Sequence, residues 1–151
     1  MKKVMAVASI GGHWIQLLRI ARPMEERYKM LYVSTHPKCA TMVEGQTYFH
    51  TTDFSRADAW KIIPSFLKAL KTIRQEKPDA IITTGAAPGV VYILVGKLLG
   101  VKTIWVDSVA NAGRLSASGR IASKLASRTY TQWEELATDK ILYAGSVFEA
   151  L

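Results

Sequence analysis

Two glycines and a histidine follow the first apolar run of the chain, in the stretch SIGGHWIQLL at residues 9–18. Gly11 and Gly12 allow a tight turn and leave the start of a helix free of side chains, which exposes amide groups that can bind phosphate. His13 follows directly, and an imidazole can accept a proton from a hydroxyl or donate a hydrogen bond to a phosphate. The alternative is a sharp strand-to-helix turn with His13 bonded to a nearby loop.

This turn lacks the signatures of two common nucleotide sites. The dinucleotide fingerprint requires glycine at its first, third and sixth positions, which here hold Ser9, Gly11 and Trp14. The second apolar run ends in Ser34 and Thr35, without the carboxylate that would hold a ribose. No Gly-Lys-Ser/Thr sequence follows the glycines, so a P-loop is also excluded.

Two later apolar runs also end in residues that could do chemistry. AIITTG ends in Thr84 and Gly85, and KTIWVDS ends in Asp107 and Ser108. Asp107 would place a carboxylate at the edge of a sheet, and the alternative is that Asp107 or Ser108 caps a helix. The loop that follows offers hydrogen-bond donors suited to an anionic or sugar ligand, with a solvated basic loop as the alternative. These donors are Asn111, Arg114, Ser116, Ser118 and Arg120.

The elements that must position these residues follow from the apolar pattern. Short apolar runs without alternation are typical of strands buried on both faces, and here they alternate with helical segments. We predict a single α/β domain over residues 1–151, Rossmann-like, with a mainly parallel, doubly wound sheet. Strands are predicted within 3–9, 29–35, 47–53, 77–85, 102–108, 128–133 and 140–145, and helices at 13–22, from Ser55 or Asp58 onward, at 88–99 and at 120–127. In such a sheet ligands bind at the carboxyl ends of the strands, so the three polar strand ends are predicted to form one crevice.

The helix predicted from Ser55 or Asp58 onward has one apolar face. The second helix would carry Trp60, Ile63, Leu67 and Leu70 on one face, with a bend at Pro64.

The stretch GAAPGVVYILVGKLLGV at 85–101 is close to membrane-spanning length, but Lys97 and Pro88 interrupt it. A buried helix is therefore predicted there, with a membrane-surface helix as the alternative.

The formal net charge of +8 favours an anionic partner such as a phosphate or an acidic membrane surface. Much of the charge lies between 102 and 128, where five basic residues face one acidic residue. The four tryptophans fall mostly in apolar periodic segments and no recognition motif is present, so a nucleic-acid partner is not predicted.

The cysteine and histidine pattern excludes two further site types. Cys39 is the single cysteine, which excludes an internal disulfide and suits a reducing compartment. His36, Cys39 and His50 lack a second pair with ligand spacing, so no metal site and no cofactor are predicted.

Four stretches, in this order, resemble the bacterial relatives of asparagine-linked glycosylation protein fourteen, including the PssD-type subunits of capsule and exopolysaccharide synthesis. They are SIGGHWIQLL, EKPDAIITTGAAPGV, KTIWVDSVANAGRLSASGRIASKLASRTYTQW and ILYAGSVF, so the likeness covers nearly the whole chain. The resemblance implies the N-terminal half of a split GT-B glycosyltransferase, similar to the first domain of MurG.

The same resemblance implies an acceptor-binding subunit of a two-component, inverting glycosyltransferase. A separate donor-binding chain would bind a UDP-sugar of N-acetylglucosamine, glucuronate or galactose type, and the acceptor would be a polyprenyl-diphosphate-linked saccharide. The pair would assemble at the cytoplasmic face of a membrane. Because the membrane anchor of the eukaryotic members is not found here, peripheral contact is expected from the basic surface, the 85–101 region or the partner.

The family's motifs carry over onto particular positions. Gly11, Gly12 and His13 match its first glycine turn, which the MurG relatives associate with the acceptor diphosphate, and Thr84-Gly85 matches its second. The third segment begins at Asp107-Ser108 and runs through Arg120, where the eukaryotic proteins often read Glu-Ser, so the acid here is one methylene shorter.

His13 is thus the first candidate for the base that deprotonates the acceptor hydroxyl, and Asp107 is the second. The glycine-turn amides, Arg114 and Arg120 would hold the diphosphate. The expected acceptor-binding residues are Ser9, Gly11, Gly12, Thr84, Gly85, Ser108, Asn111, Arg114, Ser116, Ser118 and Arg120. Two other classes of function stay open: a soluble nucleotide-binding regulatory module, and a peripheral membrane scaffold without a substrate site.

Overall fold

A computed structural model describes residues 1–148, and within them seven strands form one parallel sheet. The strands are β1 (Lys3–Ala8), β2 (Lys29–Ser34), β3 (Thr47–His50), β4 (Ala80–Gly85), β5 (Lys102–Val106), β6 (Arg128–Thr131) and β7 (Ile141–Tyr143). Their order across the sheet is β3-β2-β1-β4-β5-β6-β7. The order therefore reverses between β1 and β4, which is where doubly wound sheets bind ligands.

Five α-helices and three 3₁₀ helices connect the strands in the part of the chain that the structure describes. The α-helices are α1 (Gly12–Ala21), α2 (Pro37–Thr41), α3 (Ile62–Glu76), α4 (Ala87–Leu98) and α5 (Ala117–Ala122), and the 3₁₀ helices are Arg22–Glu26, Arg56–Lys61 and Glu134–Leu136. The predicted Rossmann-like, parallel, doubly wound fold is confirmed.

Two details differ from the predicted elements. The segment 36–46, to which no element was assigned, holds α2, whose proline in the first turn has the backbone angle that a helix start needs. The helix predicted at 120–127 is α5, which begins at Ala117 and ends at Ala122. It begins earlier because the Ser116 hydroxyl accepts a hydrogen bond from the amide of Gly119 at 2.8 Å and caps the helix.

β1 is central because it is apolar on both faces. Val4, Ala6 and Ala8 pack in the core that α1 and α2 cover, whereas Met5 and Val7 pack in the core that α3 and α4 cover. The two layers of helices follow from the right-handed connections between parallel strands.

α4 is buried against the sheet beside α3, as predicted. Val91, Tyr92, Ile93 and Val95 are at most 2% exposed. The alternative that this region lies on a membrane surface is therefore wrong for these side chains. Within residues 1–148, no helix is both long enough and apolar enough to cross a membrane.

The apolar face predicted for the second helix divides between solvent and core. Trp60, Ile63 and Leu67 are 68%, 64% and 58% exposed, whereas Leu70 packs against the core. α3 continues through Pro64, because a proline in the first turn removes no helical hydrogen bond. We refer to Trp60, Ile63 and Leu67 as the exposed stripe.

The sheet face that α1 covers has an apolar groove beyond this helix. Its floor includes Ile82 on β4, Ile104 on β5 and Tyr130 on β6, its volume is about 320 Å³, and residues 144–147 line one side. Among residues 1–148, α3, α4 and α5 all pack on the opposite face, so no helix covers this one over β5 and β6. We call it the open groove.

Candidate functional site

The turns after β1, β4 and β5 meet at one edge of the sheet, because these strands are neighbours and run in the same direction. They surround a crevice of about 360 Å³. Its lining consists of His13, Gly85, Ala86, Trp105, Ser108, Ala110, Asn111, Ser116, Ala117 and Ser118. Six of these ten residues belong to the set expected from the sequence, and we call this cavity the crevice.

His13 is held in the crevice by the backbone of β4. Its Nδ1 lies 2.9 Å from the carbonyl oxygen of Thr84, and the Thr84 hydroxyl donates to the His13 carbonyl at 2.6 Å. Because a carbonyl oxygen only accepts hydrogen bonds, the proton of the neutral ring lies on Nδ1 and the lone pair on Nε2. In this tautomer Nε2 can accept a proton, as a general base does.

Gly85 is required for this placement of His13. Its φ is +121°, a conformation that other residues rarely adopt, and a β-carbon at this position would lie 2.7 Å from Nδ1 of His13. The Gly85 carbonyl accepts a hydrogen bond from the amide of Ser9 at 2.9 Å, and the amide of Ala86 donates to the Ser9 hydroxyl at 3.2 Å. The two glycine turns are therefore bonded to each other.

The first glycine turn is open on its outer side. Gly11 precedes α1 with a φ of +100°, which explains glycine there on conformational grounds alone. Gly12 has no such constraint, and apart from its chain neighbours and the backbone of its own helix no protein atom lies within 4 Å of where its β-carbon would be. The first amides of α1 have no partner within the helix and carry its positive dipole end. The space beside Gly12 is thus accessible to an anionic group.

The Asp107 carboxylate is buried and hydrogen-bonded by neighbouring residues of the protein. Its side chain is 1% exposed. One carboxylate oxygen accepts from the indole of Trp105 at 3.0 Å and from the Ser116 hydroxyl at 2.7 Å, and the other accepts from the Ser116 amide at 2.9 Å. These contacts hold Ser116, which is the residue that caps α5, so Asp107 supports the helix start without capping a helix itself.

The two arginines expected at the diphosphate are exposed and do not line the crevice. Arg120 donates to the carbonyl of Leu115 at 3.0 Å, and Arg114 lies on the exposed part of the preceding loop. Ser9, Gly11, Gly12 and Thr84 also lie outside the lining, although each belongs to a turn that borders it.

The sequence matches the family described as oligosaccharide biosynthesis protein Alg14 like, over residues 52–147. The chain belongs to this family. It is 27% identical over 169 residues to the UDP-N-acetylglucosamine transferase subunit ALG14 of Yarrowia lipolytica, an alignment that covers 89% of this chain and 75% of that protein.

Two further similarities connect this Alg14-like chain to bacterial enzymes. It is 32% identical to the UDP-N-acetylglucosamine--N-acetylmuramyl-(pentapeptide) pyrophosphoryl-undecaprenol N-acetylglucosamine transferase of Staphylococcus aureus, over 84% of this chain and 39% of that enzyme. Its fold superimposes on MurG of Acinetobacter baumannii with a TM-score of 0.82 at 16% identity, over 99% of this chain and 47% of that one. The chain therefore spans less than half of either bacterial enzyme, and its fold is that of one Rossmann-like half of a GT-B glycosyltransferase.

Three residues that shape the crevice of this Alg14-like protein were not among the site residues predicted from the sequence. Trp105 lines the crevice and donates its indole proton to Asp107. Gln16 on α1 and Gln132 after β6 are each 5% exposed, and the Gln16 amide donates to the Ser108 hydroxyl at 2.9 Å. A polar residue between Trp14 and Leu17 was the available signal, but its partners lie 92 or more positions away.

The ionisable groups with clearly shifted pKa values lie outside the crevice lining. Burial raises the pKa of Tyr48 to about 12, and burial followed by the bond to Glu25 raises the pKa of Tyr32 still further. The amide of Ser55 holds the pKa of Asp58 at about 2. These groups act as fixed hydrogen-bond partners near neutral pH.

Proposed function

We propose that this chain is the acceptor-binding, membrane-associated subunit of a two-component, inverting glycosyltransferase. The transferase would move a sugar from a UDP-sugar to a polyprenyl-diphosphate-linked saccharide. The observation that carries the proposal is a crevice at the switch point of the sheet that His13 lines with its Nδ1 bonded to the Thr84 carbonyl, beside an open glycine turn. Among the sugar types expected, N-acetylglucosamine is favoured, because both named relatives transfer it.

The first glycine turn would hold the diphosphate of the acceptor. The amides at the start of α1 and the positive end of its dipole suit a phosphate group. The absence of a side chain at Gly12 lets that phosphate approach the backbone closely. Arg114 and Arg120 would contribute long-range attraction from outside the crevice lining rather than direct contacts within it.

His13 would act as the base of a direct displacement. Nε2 takes the proton of the acceptor hydroxyl while the hydroxyl oxygen bonds to the anomeric carbon of the donor sugar. The bond from that carbon to UDP breaks, UDP leaves with the electron pair, and the configuration inverts. The Thr84 carbonyl stabilises the positive charge that forms on the ring, because it accepts the hydrogen bond from Nδ1–H throughout.

The proposed reaction also needs a donor-binding half. The chain spans 47% of the MurG structure that it resembles, and we propose that a separate donor-binding chain supplies the other half. The open groove supports a partner, because the apolar faces of a doubly wound sheet are normally covered on both sides. Ile82, Ile104 and Tyr130 would form part of that interface.

The exposed stripe supports peripheral membrane association. Its apolar surface comes from Trp60 in the preceding 3₁₀ helix and from Ile63 and Leu67 at the start of α3. Lys71 and Arg74 continue the same side of α3. Apolar and aromatic side chains next to basic ones are typical of segments that lie in the interface of a membrane with anionic lipids. We therefore propose the stripe, rather than the buried α4, as the membrane contact, on the cytoplasmic face.

Reconstitution tests the two-component proposal. The purified chain alone should transfer no sugar from UDP-N-acetylglucosamine to a polyprenyl-diphosphate-linked saccharide, and adding a donor-binding subunit should restore transfer. Robust turnover by the lone chain would contradict the requirement for a partner.

Vesicle flotation tests the membrane contact. Trp60→Ala with Leu67→Ser should lower binding to phosphatidylglycerol vesicles by about tenfold or more, because buried apolar area determines interfacial binding. Leu98→Ser is the matched control, since Leu98 is 65% exposed on a different helix. Equal losses in both variants would contradict a role for the stripe.

A further inference from the structure

Two buried glutamines lie behind residues 108–111, a segment of the crevice lining that we call the wall. Gln16 belongs to α1 and Gln132 follows β6, and they come together across 116 positions of sequence. The Gln132 amide donates to the Gln16 side-chain oxygen at 2.7 Å and to the Asp107 carbonyl at 2.9 Å. Both donor hydrogens of Gln132 are thereby used.

Gln16 connects this pair to the wall itself. Its amide donates to the Ser108 hydroxyl at 2.9 Å, and its oxygen accepts from the amide of Val109 at 3.1 Å. Ser108 and Asn111 line the crevice on the same short segment. The indole of Trp133 also donates to the Val109 carbonyl at 2.7 Å, which adds a further hydrogen bond to this segment.

Gln132 also reaches the open groove. Its side-chain oxygen accepts from the Ser146 hydroxyl at 3.2 Å and from the Val147 amide at 3.0 Å. Residues 144–147 line the groove. One chain of hydrogen bonds therefore runs from the open groove through Gln132 and Gln16 to Ser108 and Val109.

We propose that Gln16 and Gln132 are positioning residues that set the 108–111 wall of the crevice and couple it to segment 144–147. Burying two amide groups is unfavourable unless they are hydrogen-bonded, and a satisfied network of this kind fixes one arrangement of the groups around it. Resting on the proposed function, the consequence is that a donor-binding subunit in the open groove favours the wall arrangement that binds the acceptor.

Hydrogen exchange on the full chain alone tests the coupling without an activity assay. Gln132→Met keeps the side-chain length, removes every bond of the amide and leaves the direct bond between Val109 and Gln16 possible. We expect hydrogen exchange of the Val109 amide to accelerate by about tenfold, because Gln16, which accepts the Val109 hydrogen bond, is no longer held by Gln132. Gln75→Met, on the exposed side of α3, is the matched control and should leave this rate unchanged.

Gln132→Glu provides a second variant should Gln132→Met fold poorly. It retains an oxygen for Ser146 and Val147 but faces Gln16 and the Asp107 carbonyl with an oxygen instead of a donor. It should also accelerate Val109 exchange, whereas rates within twofold of wild type in a folded variant would overturn the coupling.

Kinetics of the reconstituted transferase test the positioning role. In Gln132→Met and Gln16→Met, the KM for the acceptor should rise by about tenfold, with kcat and the KM for the donor changed by less than about twofold. A fall in kcat alone would indicate a loss of folded enzyme and overturn the positioning role. If the wild-type pair transfers no sugar, the proposed function fails, while the exchange experiment still decides the coupling.

Discussion

The turn after β1 and the loop after β5 both place candidate catalytic groups at the crevice, but they use their hydrogen-bonding capacity differently. In the first, His13 has one ring nitrogen bonded to Thr84 and leaves the other with a lone pair, and Gly12 borders open space. In the second, the Asp107 carboxylate receives three hydrogen bonds from Trp105 and Ser116. A polar residue at a strand end can therefore take part in chemistry only where its hydrogen-bonding capacity is not already used within the fold.

Replacing His13 should have the largest effect on activity. His13→Ala in the reconstituted transferase should lower kcat by about 10²-fold to 10⁴-fold, because it removes a general base. His50→Ala, an exposed histidine on β3, is the control and should leave kcat unchanged. If His13→Ala retains activity within a few-fold, the first turn does not supply the base.

Replacing Asp107 should affect stability more than catalysis. Asp107→Asn presents an amide hydrogen to groups that themselves donate, so the free energy of unfolding should fall by about 1–3 kcal/mol. Denaturant unfolding measures this loss, and kcat per folded molecule should stay within a few-fold of wild type. If the free energy of unfolding is unchanged and kcat collapses, Asp107 rather than His13 is the base.

Replacing Gly12 should affect acceptor binding without harming the fold. Gly12→Ala should raise the KM for the acceptor by about tenfold, since a methyl group enters the space proposed for the diphosphate. The melting temperature should stay equal or rise slightly, because alanine suits a helix better than glycine. An unchanged KM would show that the open side of the turn is not the phosphate site.

Replacing Asp58, a partly exposed carboxylate at a helix start far from the crevice, should have the smallest effect. The Ser55 amide donates to Asp58 at 2.6 Å, and its hydrogen bond lowers the pKa of Asp58 from 3.8 to about 2. A lowered pKa means that the folded state favours the charged form, so the stabilisation is complete above the unfolded pKa and is lost as the pH falls through the folded value. The melting-temperature difference between wild type and Asp58→Asn should therefore shrink as the pH falls from 5 towards about 2. A difference that does not vary with pH would contradict this role.

Much of the fold could be predicted from the sequence. Apolar runs such as VMAVA and AIITT are typical of strands covered on both faces, and the glycines after β1 and β4 mark turns that lead into helices. The convergence of three strand ends follows from the strand order of a doubly wound sheet.

The sequence could not reveal which polar groups have partners. Gln16 contacts Ser108 and Gln132 only because α1 packs beside the ends of β5 and β6. The Asp107 carboxylate has its hydrogen-bonding capacity occupied only because the loop after β5 brings Ser116 back to it. The exposure of Ile63 was equally hidden, because helical spacing identifies an apolar face but not whether protein or solvent lies against it.

Calorimetry on the isolated chain tests most directly whether this half of the enzyme binds the acceptor. We predict that a polyprenyl-diphosphate-linked saccharide in detergent binds to the wild-type chain and binds about tenfold more weakly to the Gly12→Ala variant. UDP-N-acetylglucosamine should give no heat of binding with the wild-type chain. Tight binding of UDP-N-acetylglucosamine with no binding of the lipid-linked saccharide would contradict the central claim and indicate a nucleotide-binding module instead.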